Sequence, residues 1–146
     1  MAPIVNSIEI SRRPEDVFGY VTDPSHLPEW QESVVSVRGE GPYTVGSTVV
    51  VTRRVGRMER EMTSKIGELT PPRAWTIRGI DGPIRGDVKG TVEPLGDREH
   101  SQVTIALDLE GHGLGKLLLP LIVRRQVEKE MPKNMETLKR QLETTP

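Results

Sequence analysis

The stretch from residue 114 to about residue 143 limits what this chain can fold into more than any other. Val127, Met131, Met135, Leu138 and Leu142 recur at steps of three and four, which places them on one face of an α-helix. About thirty helical residues would span roughly 45 Å at ~1.5 Å per residue. A chain of 146 residues reads as one domain, residues 1–146, with room for a real core. A helix this long buries its apolar face in such a domain only if a sheet wraps around it. The upstream residues are therefore expected to supply that sheet.

They carry the pattern of strands. Ile4, Asn6, Ile8 and Ile10 alternate with Val5, Ser7, Glu9 and Ser11, as in a half-buried strand. Pro14 suits the first position of a helix, Glu15 and Asp16 its first turn, and Val17, Phe18 and Val21 its apolar face. Asp23-Pro24 stops it, and a second short helix follows with Leu27 and Trp30 three apart. Strands are predicted over 34–37, 47–55, 60–69, 75–80, 84–92 and 101–110. Turns at Gly56-Arg57, Thr70-Pro71-Pro72, Gly82-Pro83 and Gly96-Asp97-Arg98 separate most of them. Short connections imply antiparallel pairing. The expected class is α+β: a curved antiparallel seven-stranded sheet, two short helices after strand one, and a long C-terminal helix in its grip.

Several pieces in this order resemble a known family. They are Ile8-Glu9-Ile10 running through Arg12-Arg13-Pro14-Glu15-Asp16 to Phe18; Pro24-Ser25-His26-Leu27-Pro28-Glu29-Trp30; Val45-Gly46-Ser47; Gly67-Glu68-Leu69-Thr70-Pro71-Pro72-Arg73; and Gly90-Thr91-Val92-Glu93-Pro94. Together they resemble the START-like, helix-grip (SRPBCC) superfamily, and within it the polyketide cyclase/dehydrase and lipid-transport group, which includes the birch-pollen-allergen fold. The resemblance implies a helix-grip fold with a cavity between sheet and C-terminal helix. It implies no single function, because that fold hosts ligand carriers, cyclases, hydrolases and chaperone activators.

Composition narrows the field. Twenty basic and 21 acidic residues leave a net charge of −1, which gives no footprint for nucleic acid. No cysteine is present, so thiol nucleophiles, disulfides and zinc–thiolate sites are excluded. His26, His100 and His112 lack metal-site spacing and read as surface or capping residues. No Gly-x-Ser-x-Gly elbow or nucleotide fingerprint occurs, and no cofactor is expected. The N-terminus lacks the pattern of a signal peptide, and the longest apolar run, 117–123, is too short to span a bilayer. A cytoplasmic protein without stable membrane insertion is expected. Apolar content of 34% and aromatic content of 3% leave space for a ligand inside.

The hairpin at Gly56-Arg57 is the most informative local feature. A two-residue turn there sets Val55 opposite Met58, Arg53 opposite Arg60, Val51 opposite Met62 and Val49 opposite Ser64. Arg53 and Arg60 then face each other on the apolar side, where like charges repel and a desolvated guanidinium needs a partner. Either they line the cavity mouth and meet a ligand carboxylate or phosphate, or they snorkel to water or pair with an acid elsewhere. Trp30 and Trp75, each an apolar plate with one donor, are candidate cavity walls or core anchors. The adaptable side chains of Met58, Met62, Met131 and Met135 are candidate lining or plain core. Val51, Ser64, Ile77, Val88 and Leu107 complete the candidate lining, and Tyr20 is a further candidate positioning group.

Residues 117–123 are apolar all round the helix and need cover from loops, a partner subunit in a homodimer, or a membrane surface during ligand delivery. Pro132 is expected to bend or break the helix near Glu128. Two functions compete: binding or transport of a hydrophobic small molecule such as a lipid, isoprenoid or polyketide, and cyclase/dehydratase chemistry in the same cavity. A protein-binding module of the chaperone-activator kind is a third.

Overall fold

A computed structural model describes residues 2–39, 41–111 and 119–144. Strand β1 is Ile4–Ile10, followed by helices α1, Pro14–Val21, and α2, Leu27–Trp30, with a single 3-10 turn, Pro24–His26, between them. Six strands follow: β2 Val34–Arg38, β3 Thr48–Val55, β4 Met58–Thr70, β5 Ala74–Gly79, β6 Ile84–Leu95 and β7 His100–Gly111. Helix α3 covers Leu119–Thr144. Residues 112–118, which include His112 and the expected start of the long helix, lie outside the described residues.

The seven strands form one curled antiparallel sheet in the order β1-β7-β6-β5-β4-β3-β2. Each strand from β2 to β7 pairs with its sequence neighbour, and β1 closes onto β7. Two irregularities in register help it curl: one between Val34 and Ser36 in β2, and one between Ile66 and Glu68 in β4. An extra residue on one strand bends it and raises its twist. The β3–β4 hairpin has the expected register, from Val55 opposite Met58 to Thr48 opposite Lys65. Gly56 makes its tight turn possible with φ +65°, a conformation that costs other residues about 1 kcal/mol or more. Strands β4 and β6 run several residues beyond their apolar pattern, because ladder pairing continues into the polar rim.

Helix α3 packs against β1 and β7 and touches α1 and α2. Its C-terminal turns are tied down: the Lys139 ammonium donates to the Glu9 carbonyl, and the Ser11 amide donates to the Glu143 carboxylate, both at 2.8 Å. Of the expected bend or break at Pro132, the break does not occur: the helix runs on through Pro132. Pro132 is exposed, so the backbone acceptor that it leaves unbonded lies on the solvated side of the helix.

The interior is divided. The larger apolar cluster joins α1, α2 and α3 to β1, β5, β6 and β7 and contains Ile10, Val17, Val92, Val103 and Leu138. The smaller one, Val34, Val49, Val51 and Ile66, lies under β2, β3 and β4. Leu27 and Leu69 touch both.

Candidate functional site

Between these two clusters lies a half-enclosed cavity of about 240 Å³. Its floor is a cross-strand row produced by the ladder register. Ile66 stands opposite Ile77, Ile77 opposite Val88, and Val88 opposite Leu107. Val51 and Met62, also opposite one another, extend the floor toward β3. Val127, Met131 and Met135 form the roof, because steps of four keep them on the face of α3 that looks at the sheet. Trp30 closes one side from the end of α2. Trp75 of β5 also lines the cavity, its ring over the cross-strand partner Gly90, 3% exposed, with Phe18 edge-on at a centroid distance of 6.0 Å.

The cavity lining carries a cationic pole at Arg53, while Asp81, bonded to the Thr63 amide, and Glu130 are its acidic members. Arg53 Nη1 donates to Gln31 Oε1 at 2.7 Å and to Ser33 Oγ at 3.3 Å. Both partners are neutral and come from the short segment that links α2 to β2. Arg53 keeps part of its surface open to the cavity but is otherwise surrounded by protein. Burial pushes its pKa down to about 10, and the nearby Glu130 carboxylate partly offsets that. Arg53 therefore stays protonated at neutral pH, as a desolvated cation with the Glu130 carboxylate acting on it.

A polar row on α3 flanks this pole. Gln126, Glu130 and Asn134 follow each other at steps of four, next to the apolar row of Val127, Met131 and Met135. Gln126 works as a clasp. Its Nε2 donates to the Arg54 carbonyl at 3.1 Å and to Glu130 Oε1 at 3.2 Å, and its Oε1 accepts from the Gly56 amide at 3.3 Å. The tip of the β3–β4 hairpin is thus bonded to the helix. Asn134 Oδ1 accepts from the Glu32 amide at 3.1 Å and holds the α2–β2 segment in the same way.

Of the expected lining residues, the structure brings together Trp30, Val51, Arg53, Met62, Ser64, Trp75, Ile77, Val88, Leu107, Met131 and Met135. Met58 and Arg60 are elsewhere. Met58 is 58% exposed, and Arg60 is exposed with no partner among the described residues, although it stands opposite Arg53 in register. Both sit close to the hairpin tip, beyond the enclosed space, where long side chains reach water. Tyr20 does not line the cavity. It stacks on His26 at 4.3 Å and donates to Glu29 Oε1 at 2.9 Å. The phenol is shifted up, first by burial and then by the Glu29 carboxylate. His100 lies 3.3 Å from Asp97 in the β6–β7 turn. Among the described residues, no group of three His, Asp or Glu side chains is placed to hold a metal ion.

Gln31, Ser33, Gln126, Glu130 and Asn134 are site residues that apolar periodicity alone passes over. The row on α3 was nonetheless visible, because its steps of four match those of the apolar row next to it.

A model of the family described as polyketide cyclase/dehydrase and lipid transport matches residues 1–143. The chain belongs to that family. No curated protein matches it. Among solved structures of the same fold, it is similar to the Zhui aromatase/cyclase from Streptomyces sp. R1128, with TM-score 0.82, 14% identity, and coverage of 97% of this chain and 93% of that one. It is similar to a START superfamily protein from Mycobacterium smegmatis, with TM-score 0.76, 13% identity, and coverage of 97% and 99%. It also matches the di-domain aromatase/cyclase BexL of the BE-7585A biosynthetic pathway, with TM-score 0.74 and 17% identity. That match covers all of this chain but 48% of BexL, so the chain spans about half of that protein. Family membership supports a ligand-binding or cyclase role for the cavity.

Proposed function

We propose that the protein binds, and carries, a small hydrophobic molecule with one acidic or strongly polar end, seated between the sheet and α3. The observation that carries this is the asymmetry of the cavity. Apolar side chains supply its floor and roof, and the desolvated guanidinium of Arg53 stands at one end, bonded to two neutral partners with the Glu130 carboxylate nearby. A guanidinium so placed gains most from an oxygen anion, and the surrounding low dielectric strengthens that pairing. About 240 Å³ is just under the usual ligand-pocket range of about 300–1,000 Å³, which suits one chain or a small ring system.

Decanoate and its methyl ester test this. The acid is expected to bind the wild type at least tenfold more tightly than the ester, and Arg53→Leu to remove that preference while the ester still binds. Equal weakening of acid and ester by Arg53→Leu would exclude the anchoring role.

A cyclase reading is supported by the family match. A poly-keto chain is intrinsically reactive, and a cavity that folds it and excludes water needs few titrating groups. In that case Arg53 would hold an enolate or carboxylate oxygen. Turnover of a poly-keto thioester by the wild type, lost in Arg53→Leu, would favour it. Binding without turnover would leave the carrier.

A further inference from the structure

Among the described residues, three of the exposed large apolar side chains gather at one end of the molecule. Leu121 and Ile122 are 51% and 60% exposed on the first described turns of α3, and Met58 is 58% exposed at the hairpin tip. Ile122 is one helical turn from Gln126 and shares its face. Gln126 is the residue bonded to the tip at Arg54 and Gly56, so the tip and this end of α3 adjoin. Val55, Val123 and Gln126 line the cavity here, so the patch borders its end.

The charges around it are mostly positive. Arg57, Arg60 and Arg125 are exposed and have no partner among the described residues, and Arg125 shares a helix row with Leu121. The Arg54 guanidinium is exposed and donates to the Glu32 carbonyl at 3.4 Å, with no carboxylate partner among the described residues. The nearby acids are largely engaged. Glu128 pairs with Arg124 at 3.0 Å, Glu61 with Arg38 at 2.8 Å, and Glu130 accepts from Gln126. Glu59, opposite Arg54, and Glu32, whose carbonyl meets Arg54, have no ion-pair partner among the described residues. Among the described residues, no helix is long and apolar enough to cross a membrane.

We propose that this face docks on an anionic lipid surface. Leu121, Ile122 and Met58 enter the headgroup boundary, and Arg57, Arg60 and Arg125 meet lipid phosphates and carboxylates, a pairing suited to guanidinium groups. Charge decides against a second copy of the chain as the occupant. A two-fold interface over this patch would set the three free arginines of each protomer near those of the other. Docked in this orientation, the end of the cavity faces the bilayer, and an apolar ligand passes between them without crossing bulk water.

The test is cosedimentation of the full chain with vesicles of phosphatidylcholine, and of phosphatidylcholine mixed with phosphatidylserine, at low and high salt. Binding is expected to the mixed vesicles alone and to fall with salt. The double variant Arg57→Gln/Arg125→Gln is expected to bind roughly thirtyfold more weakly. Ile122→Ser is expected to weaken binding with the salt dependence retained. All three positions are exposed, and an unchanged Tm would show that the variants fold. Equal binding to neutral vesicles, or a double variant that binds like the wild type, overturns the proposal. So does a lack of vesicle binding together with a dimer that Ile122→Ser dissolves, which would assign the patch to a second copy.

Discussion

The ring of Trp75 fills the space directly over Gly90. The two residues are cross-strand partners on β5 and β6, and a β-carbon on Gly90 would lie 2.1 Å from the nearest ring atom. The strand gives up a side chain so that the indole can lie against the sheet and leave the cavity open. The shape of the site therefore depends on a residue that contributes nothing to its chemistry.

Gly90→Ala should push the Trp75 ring toward the cavity. Overpacking of this kind costs about 1–3 kcal/mol, or a fall in Tm of roughly 3–10 °C. Ligand affinity should drop in the same variant. A crystal structure or indole NMR shift showing Trp75 unmoved would contradict this.

Trp30, only 5% exposed, carries a buried indole N–H with no acceptor among the described residues. An unmade donor gives no stability to lose. Trp30→Phe should therefore cost less than about 1.5 kcal/mol, whereas Trp30→Ala should cost about 3–5 kcal/mol by opening a cavity. Urea unfolding of the two variants separates these outcomes.

Arg53 should oppose folding in the unliganded protein. Its folded pKa lies below the unfolded value, so the charged form is disfavoured in the native state. Wild-type stability should accordingly gain from this group as pH climbs from about 10 into the ordinary arginine range. Arg53→Leu should raise Tm by roughly 2–4 °C at neutral pH, as replacement of a buried charge by an apolar group often does. A lower Tm would mean that its bonds to Gln31 and Ser33 outweigh the desolvation.

Met62, the cross-strand partner of Val51, lines the cavity and is half-buried. Met62→Trp should fill that space, lower ligand affinity at least tenfold and leave the fold intact by circular dichroism. Undiminished binding would place the ligand elsewhere.

Most of the fold could be read from local chemistry. The glycine at position 56 and the alternation on either side of it specified the β3–β4 register, and through it the inward row of Val51, Met62 and Ser64. The steps of four in α3 specified the roof. The two residues misplaced at the site, Met58 and Arg60, have the right phase but lie too near the hairpin tip. Strand periodicity tells which face a residue is on, not how far along it the enclosed space extends. Arg53 and Arg60 were equivalent in the sequence. Gln31 and Ser33 distinguish them, and those reach Arg53 only because the α2–β2 segment folds over β3. The division of the core into two clusters has no local signature, since it arises from long-range pairing across the sheet.

The central claim is that a hydrophobic ligand sits between the sheet and α3, in the cavity that Trp30 and Trp75 line, anchored at Arg53. Trp30 and Trp75 are the chain's two tryptophans, so a proton–nitrogen correlation spectrum should contain one indole signal from each. Titration with decanoate should shift both signals saturably, and Arg53→Leu should weaken that response at least tenfold while sparing the response to methyl decanoate. If neither indole signal moves at millimolar decanoate or methyl decanoate, the cavity is not the binding site.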